Sequence, residues 1–344
     1  MCADNHQVPK VSTRPPIGEG ATRPGAIAPG PSGSPGTAGG AAPQPHAPLN
    51  KAVVAAIRGR VPALAAATAL SLRAGKRLSD AVHLGQEVTI VPAHYENPVQ
   101  VAKKLAQVTG GQVTELVANR KCRLDSPLGV WVVELDGKVP GGAPIVEVAT
   151  PPTPRAADAK VLATLETIHG IAPSLPTLGG GHIHIDGAAF LVAPKLLGRF
   201  LQLYLHLEPA ILDAFRHPAR SHAARGLGEF PNRGEIATRL TALGQSDPAE
   251  IAAAVGQTLD ELKLPRELAL NLRSLAGVQA GNKKSKGTVE LRLFDAPVDV
   301  ATAEAQRRLV RGLLSATFSN KPLSSAAPTD RASLFAYLDA HAEA

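Results

Sequence analysis

Residues 179–186 read GGGHIHID. Successive side chains of a strand point to opposite faces, so His182, His184 and Asp186 share one face while Ile183 and Ile185 take the other. Three further runs have the same construction. In QEVTIV (86–91) Glu87 and Thr89 lie together against Val88 and Ile90, and in PIVEVAT (144–150) Glu147 lies with Ile145 and Ala149 against Val146 and Val148. In GTVELRLFDA (287–296) Glu290 and Arg292 oppose Val289, Leu291 and Leu293. Each run alone fits a strand with one wet face. Together they place His and Glu at the centres of strands with few neighbouring Lys or Thr, which makes a poor solvated surface and a good cation-binding one. Carboxylates with an occasional imidazole suit Mg²⁺ or Mn²⁺.

Working outward, a helix is expected over 98–111, stopping at Gly110, where a left-handed cap is usual. Strands are expected at 112–118, 129–135 and 144–150, joined by turns at Asp136-Gly137 and Gly141-Gly142. Helical periodicity follows at 155–169, and two long helices fill 191–216 with an interruption at Glu208-Pro209. Further helices are expected at 234–245, 248–263 and 266–275, then at 301–316 and 330–342. Strands bunched around a helical middle predict an α+β fold, with a mainly antiparallel sheet whose apolar face packs on helices. The Pro/Gly-rich residues 1–50, with 10 prolines and 8 glycines, exceed the roughly 25–30% that marks aperiodic low-complexity sequence and read as a disordered tail. An Ala-rich helical lead-in is expected over 51–82.

Two cysteines, Cys2 and Cys122, are too few for a disulfide framework, which points to a reducing, cytoplasmic compartment. The longest apolar run, VPALAAATALSL (61–72), is too short to span a bilayer, and no membrane association is expected. The net charge is +7, but the Lys and Arg are dispersed and aromatics are 3% of the chain, which argues against nucleic acid. One basic cluster stands out, GNKKSKG (281–287). It reads as a solvated loop, or as a loop whose Lys283, Lys284 and Lys286 approach a polyphosphate.

His182, His184 and Asp186 also match the first three places of the His-x-His-x-Asp-His zinc signature of metallo-β-lactamase-like hydrolases, but the fourth place is Gly187. Later histidines at 206, 217 and 222 fall on or beside expected helices. An amidohydrolase barrel would need a βα repeat that the chain lacks. A zinc hydrolase using these three residues is the rival enzyme reading.

The ordered motifs resemble the amidoligases of the carboxylate–amine ligase superfamily, relatives of glutamine synthetase and glutamate–cysteine ligase. LGQEVTI is similar to the family's opening strand, VWVVELDGKVPGGAPIVEVATPP to its strand–turn–strand, GGGHIHID to its Gly-x-His-x-His strand, and LALNLRSL with GTVELRLFDAP to its closing segment. The resemblance runs from about residue 85 to 320 and implies a glutamine-synthetase-like curved sheet, with a catalytic domain at 83–322 and a C-terminal helix at 323–344. It implies an ATP-dependent ligase that joins a small-molecule or peptide carboxylate to an amine through an acyl phosphate. Glu87, Glu147, His182 and Glu290 would then ligate Mg²⁺ (or Mn²⁺), and His184 and Arg292 would contact nucleotide or acyl phosphate. Arg220 or Arg225 would match a further family arginine, and Lys286 would approach ATP. The family's second carboxylate on the opening strand is Thr89 here, so Glu134 or Asp136 substitutes, a cation is lost, or the fold binds without turning over.

Overall fold

The computed structural model describes residues 77–92, 96–139, 142–172, 180–216, 224–278, 286–319 and 321–343. The expected tail and most of the lead-in lie outside these residues, as do Arg220, Lys283 and Lys284. In chain order the elements are α1 (Leu78–Ala81), β1 (Leu84–Ile90), α2 (Pro98–Thr109), β2 (Gln112–Val117), β3 (Lys121–Ser126), β4 (Gly129–Lys138), β5 (Pro144–Ala149) and α3 (Asp158–Ile171). There follow β6 (Ile183–Asp186), α4 (Ala188–Val192), α5 (Pro194–Phe215), α6 (Arg233–Ala242), α7 (Ile251–Glu261), β7 (Leu270–Asn271), α8 (Arg273–Ala276), β8 (Thr288–Leu291), α9 (Val300–Phe318) and α10 (Arg331–His341).

The described strands form one open sheet in the order β2-β3-β4-β5-β1-β6-β8-β7, and every neighbouring pair is antiparallel. This is the α+β class expected. Alternation sends one residue set of each strand into the helical layer. Val88, Ile90, Leu124, Trp131, Val133, Val146 and Val148 pack with Val101 and Leu105 of α2 and Val161 and Leu165 of α3. Ile183, Ile185, Val289 and Leu291 pack with α4 to α7, α9 and α10. Each such fully buried aliphatic side chain contributes about 1.5–3 kcal/mol relative to exposure. The described part of the 323–344 segment belongs to this core, since Leu334 and Leu338 of α10 are buried in it. No helix among the described residues is long and apolar enough to cross a membrane.

Local signals account for several ends. Asn97 and Gln100 form a capping box at α2 with Pro98 in the first turn, and Gly110 closes the helix at φ 69°. Other expectations need correction. The chain 121–126, KCRLDS, is a strand that the charged residues disguise, because only Cys122 and Leu124 face the core. Asp136-Gly137 is not a turn. β4 runs through it with a bulge between Leu135 and Gly137, and the hairpin closes later, where Val139 N–H donates to Ala143 O at 2.9 Å. α5 passes through Pro209 unbroken, because Leu207, Glu208, Ala210 and Ile211 are buried around it and packing outweighs the proline's local cost. The break falls instead before Pro194. The helix expected at 266–275 is mostly absent, since β8 recruits Leu270 and Asn271 into the sheet, leaving only α8.

Candidate metal centre

The register carries the polar set of each strand onto the face opposite the helices. Asn271 pairs with Glu290, Glu290 with His184, and His184 with Gly85, in an unbroken row across β7, β8, β6 and β1. A second row, further along β1, joins Thr89 to Glu147 and Glu147 to Glu134 across β5 and β4. Glu87 lies between the two rows and is tied to residue 182 by its N–H donating to His182 O at 2.8 Å.

The side chains converge there. His184 Nε2 is 2.7 Å and His182 Nδ1 is 3.0 Å from the two oxygens of Glu87, and His182 Nδ1 is 3.5 Å from Glu290 Oε1. Ligand atoms of Glu87, His184 and Glu290 lie within 4.8 Å of one another, close enough to share one ion. Arg292 Nη1 donates to Glu290 Oε1 at 2.5 Å, and Asn271 Nδ2 donates to Glu290 Oε2 at 2.8 Å, which fixes the carboxylate plane. Lys286 Nζ is 2.9 Å from Glu87 Oε1. The site is enclosed: Glu87 and Glu290 are 8% and 7% exposed.

Burial alone would raise the Glu87 pKa. Hydrogen bonds from His182 and His184, with the charges of His184 and Lys286, outweigh it and hold the carboxyl well below the usual range. Glu147 goes the other way. Burial first, then the negative charges of Glu87, Asp136 and Glu134, push it up to about 8, and Lys286 offsets only part of this. Burial disfavours the Lys286 ammonium, but Glu87, Glu147 and Glu290 together raise its pKa. The carboxylates of the cluster are thus matched by the chain's own cations, Glu87 by Lys286 and Glu290 by Arg292. Two carboxylates and an imidazole at this spacing suit a hard divalent ion.

Of the residues singled out from sequence, the fold brings together Glu87, His182, His184, Glu290, Arg292 and Lys286. His184 joins the three-donor cluster, whereas His182 lies at its margin through Nδ1. Glu147 is on the next strand, linked to the cluster electrostatically and not as one of its three donors. Thr89 occupies the expected face, but its hydroxyl donates to Gly180 O at 3.1 Å. Arg225 lies at the sheet edge beside Leu268, and its guanidinium does not join the cluster but stacks over Phe230, 4.3 Å from the ring centroid, and bonds Glu229 O. Asp186 caps the turn into α4 by accepting the Ala188 N–H at 3.0 Å. His206 lies in the helical layer with its ring tilted against Tyr337, so it does not complete a zinc box with Asp186. The sequence reading missed Asn271 and Thr288 as orienting groups. Thr288 Oγ1 lies 3.2 Å from His184 Nδ1, a partner that the face alternation of β8 could have shown.

Gly181, ahead of β6, makes room for a backbone. A Cβ on Gly181 would lie 2.5 Å from Asp295 O, and the Gly181 N–H donates to Phe294 O at 3.0 Å. Close approach of the chain after β8 thus explains Gly181. Comparison with protein-family models, curated proteins and solved structures finds no match to this chain.

Proposed function

We propose that this chain is an ATP-dependent carboxylate–amine ligase with a glutamine-synthetase-like sheet, working in the cytoplasm. The observation that supports it most is that Glu87, His184 and Glu290, drawn from three strands distant in sequence, share one enclosed face with Arg292 and Lys286.

A bound Mg²⁺ or Mn²⁺ would neutralise phosphate oxygens and let ATP approach the carboxylate substrate. Glu87, Glu290 and His184 would hold it, with His182 beside them, and Glu147 would add a carboxyl on the adjoining strand. The remaining work falls to this chain's own cations. Arg292 stabilises charge developing on the transferred phosphoryl group and on the acyl phosphate, and Lys286 draws in the nucleotide phosphates. Glu134 and Asp136, beyond Glu147, give the β4–β5 side a negative field that favours an incoming amine. Displacement of phosphate by that amine completes the amide. Thr89 brings no carboxylate and its hydroxyl is engaged by Gly180 O, so the three-donor cluster would hold a single cation.

The reading is tested by ADP release from Mg²⁺ and ATP over a panel of carboxylic acids and amines. Release that requires both acid and amine, and that Glu290→Gln abolishes, is expected. ADP release that is indifferent to the acid contradicts it.

A further inference from the structure

We propose that the Lys286 ammonium is an internal counter-cation of the Glu87–His184–Glu290 centre, and that a divalent ion binds there only by displacing it. The inference rests on the metal reading above and concerns what that ion must compete with. Lys286 Nζ and His184 Nε2 converge on the same oxygen, Glu87 Oε1, at 2.9 Å and 2.7 Å. Glu87 is one of the three clustered donors and is held at its other oxygen by His182, so the ammonium borders the space a metal would fill. Its position is built by the backbone. Gly287 adopts φ +64°, a left-handed turn, and its carbonyl accepts the Gly187 N–H at 3.0 Å, so the chain entering β8 is pinned and bent just after Lys286. The side chain itself remains 58% exposed, which leaves it an open path away from the carboxylates.

The charges explain why something must sit there. Enclosed carboxylates without a cation are strongly disfavoured, and Glu87, Glu147 and Glu290 all act on Lys286. Arg292 is already engaged by Glu290 at 2.5 Å and does not reach Glu87 in this arrangement. An ammonium and a doubly charged ion cannot both lie against Glu87 Oε1 without repulsion that an enclosed site screens poorly. Displaced, the same lysine lies beside the phosphates that the ion would bring.

The experiment is calorimetric titration of Mn²⁺ alone into the full chain, with Lys286→Met, Lys286→Arg and the double variant Lys286→Met/Glu87→Gln beside it. Lys286→Met is expected to bind Mn²⁺ about tenfold or more tightly than the unaltered protein, which corresponds to about 1.4 kcal/mol. Lys286→Arg, which keeps the charge, gains nothing, and the double variant loses the tight site, locating it at Glu87. Equal or weaker binding by Lys286→Met overturns this inference while leaving the metal centre in place. Absence of Mn²⁺ binding in every protein overturns the metal reading, and this inference with it. A thermal melt guards against misfolding: without metal, Lys286→Met melts lower than the unaltered protein, and added Mn²⁺ raises its melting point by the larger amount.

Discussion

His184 is gripped at both ring nitrogens: Nε2 lies 2.7 Å from Glu87 Oε1, and Nδ1 lies 3.2 Å from Thr288 Oγ1. A neutral imidazole carries one N–H, so the Thr288 hydroxyl can set the tautomer by donating to Nδ1 or accepting from it. With an ion at Nε2, Nδ1–H donates to Thr288. Thr288→Val should therefore weaken Mn²⁺ binding by roughly 10- to 100-fold, the usual cost of removing a group that orients a ligand. Titration of the variant checks this, with Thr288→Ser expected to restore most of the affinity.

Glu147 gives the metal-free protein an unusual pH dependence. Its carboxyl is pushed up to about 8 in the fold from an ordinary value of 4.5, so the native state holds the extra proton across that window. Stability contributed by that proton is fully present below about pH 4.5 and is lost as pH rises through 8. Glu147→Gln keeps the neutral shape and removes the loss. Urea unfolding in chelator at pH 5 and pH 8.5 should show the variant gaining on the unaltered protein at the higher pH.

Asp158 behaves in the opposite sense. It accepts bonds from Arg307 and from Arg311, whose Nε is at 3.0 Å, and both arginines are almost fully buried. Burial would raise its pKa, but the hydrogen bond from Arg311 and the two positive charges lower it overall. Its contribution is thus present above the unfolded value of 3.8 and is lost as pH falls through the depressed folded value. Asp158→Asn leaves two buried guanidinium groups without a counter-charge and should cost about 3–5 kcal/mol at pH 7, measured by urea unfolding.

Gly181→Ala tests the close passage before β6. The added methyl would meet Asp295 O at 2.5 Å and Pro297 Cδ at 3.0 Å, so the segment that leads through His182 into β6 must shift. A loss of about 1–3 kcal/mol is expected, with weaker Mn²⁺ binding. Unchanged stability would show that the strand has room to move.

The polar face was legible because alternation is a property of single strands, and Glu87, Glu147, His182, His184 and Glu290 all fall on it. What alternation does not carry is pairing. Strand 121–126 was hidden because Lys121, Arg123 and Asp125 face solvent, and Leu270-Asn271 becomes a strand only because β8 lies beside it. For the same reason the choice of His184 over His182 for the donor cluster depends on how β6 sits between β1 and β8. Lys286 reaches Glu87 through a left-handed glycine, and the basic run alone does not specify that path. Arg225 shows the reverse limit, since a matching residue type in the right order ended on Phe230.

Calorimetric titration of ATP with and without Mg²⁺ decides whether this face takes ATP through a divalent ion, as proposed. Saturable, one-site binding that requires Mg²⁺ and disappears in both Glu87→Gln and Glu290→Gln is expected. ATP binding that ignores Mg²⁺ and survives both substitutions, or no binding at all, would contradict that proposal.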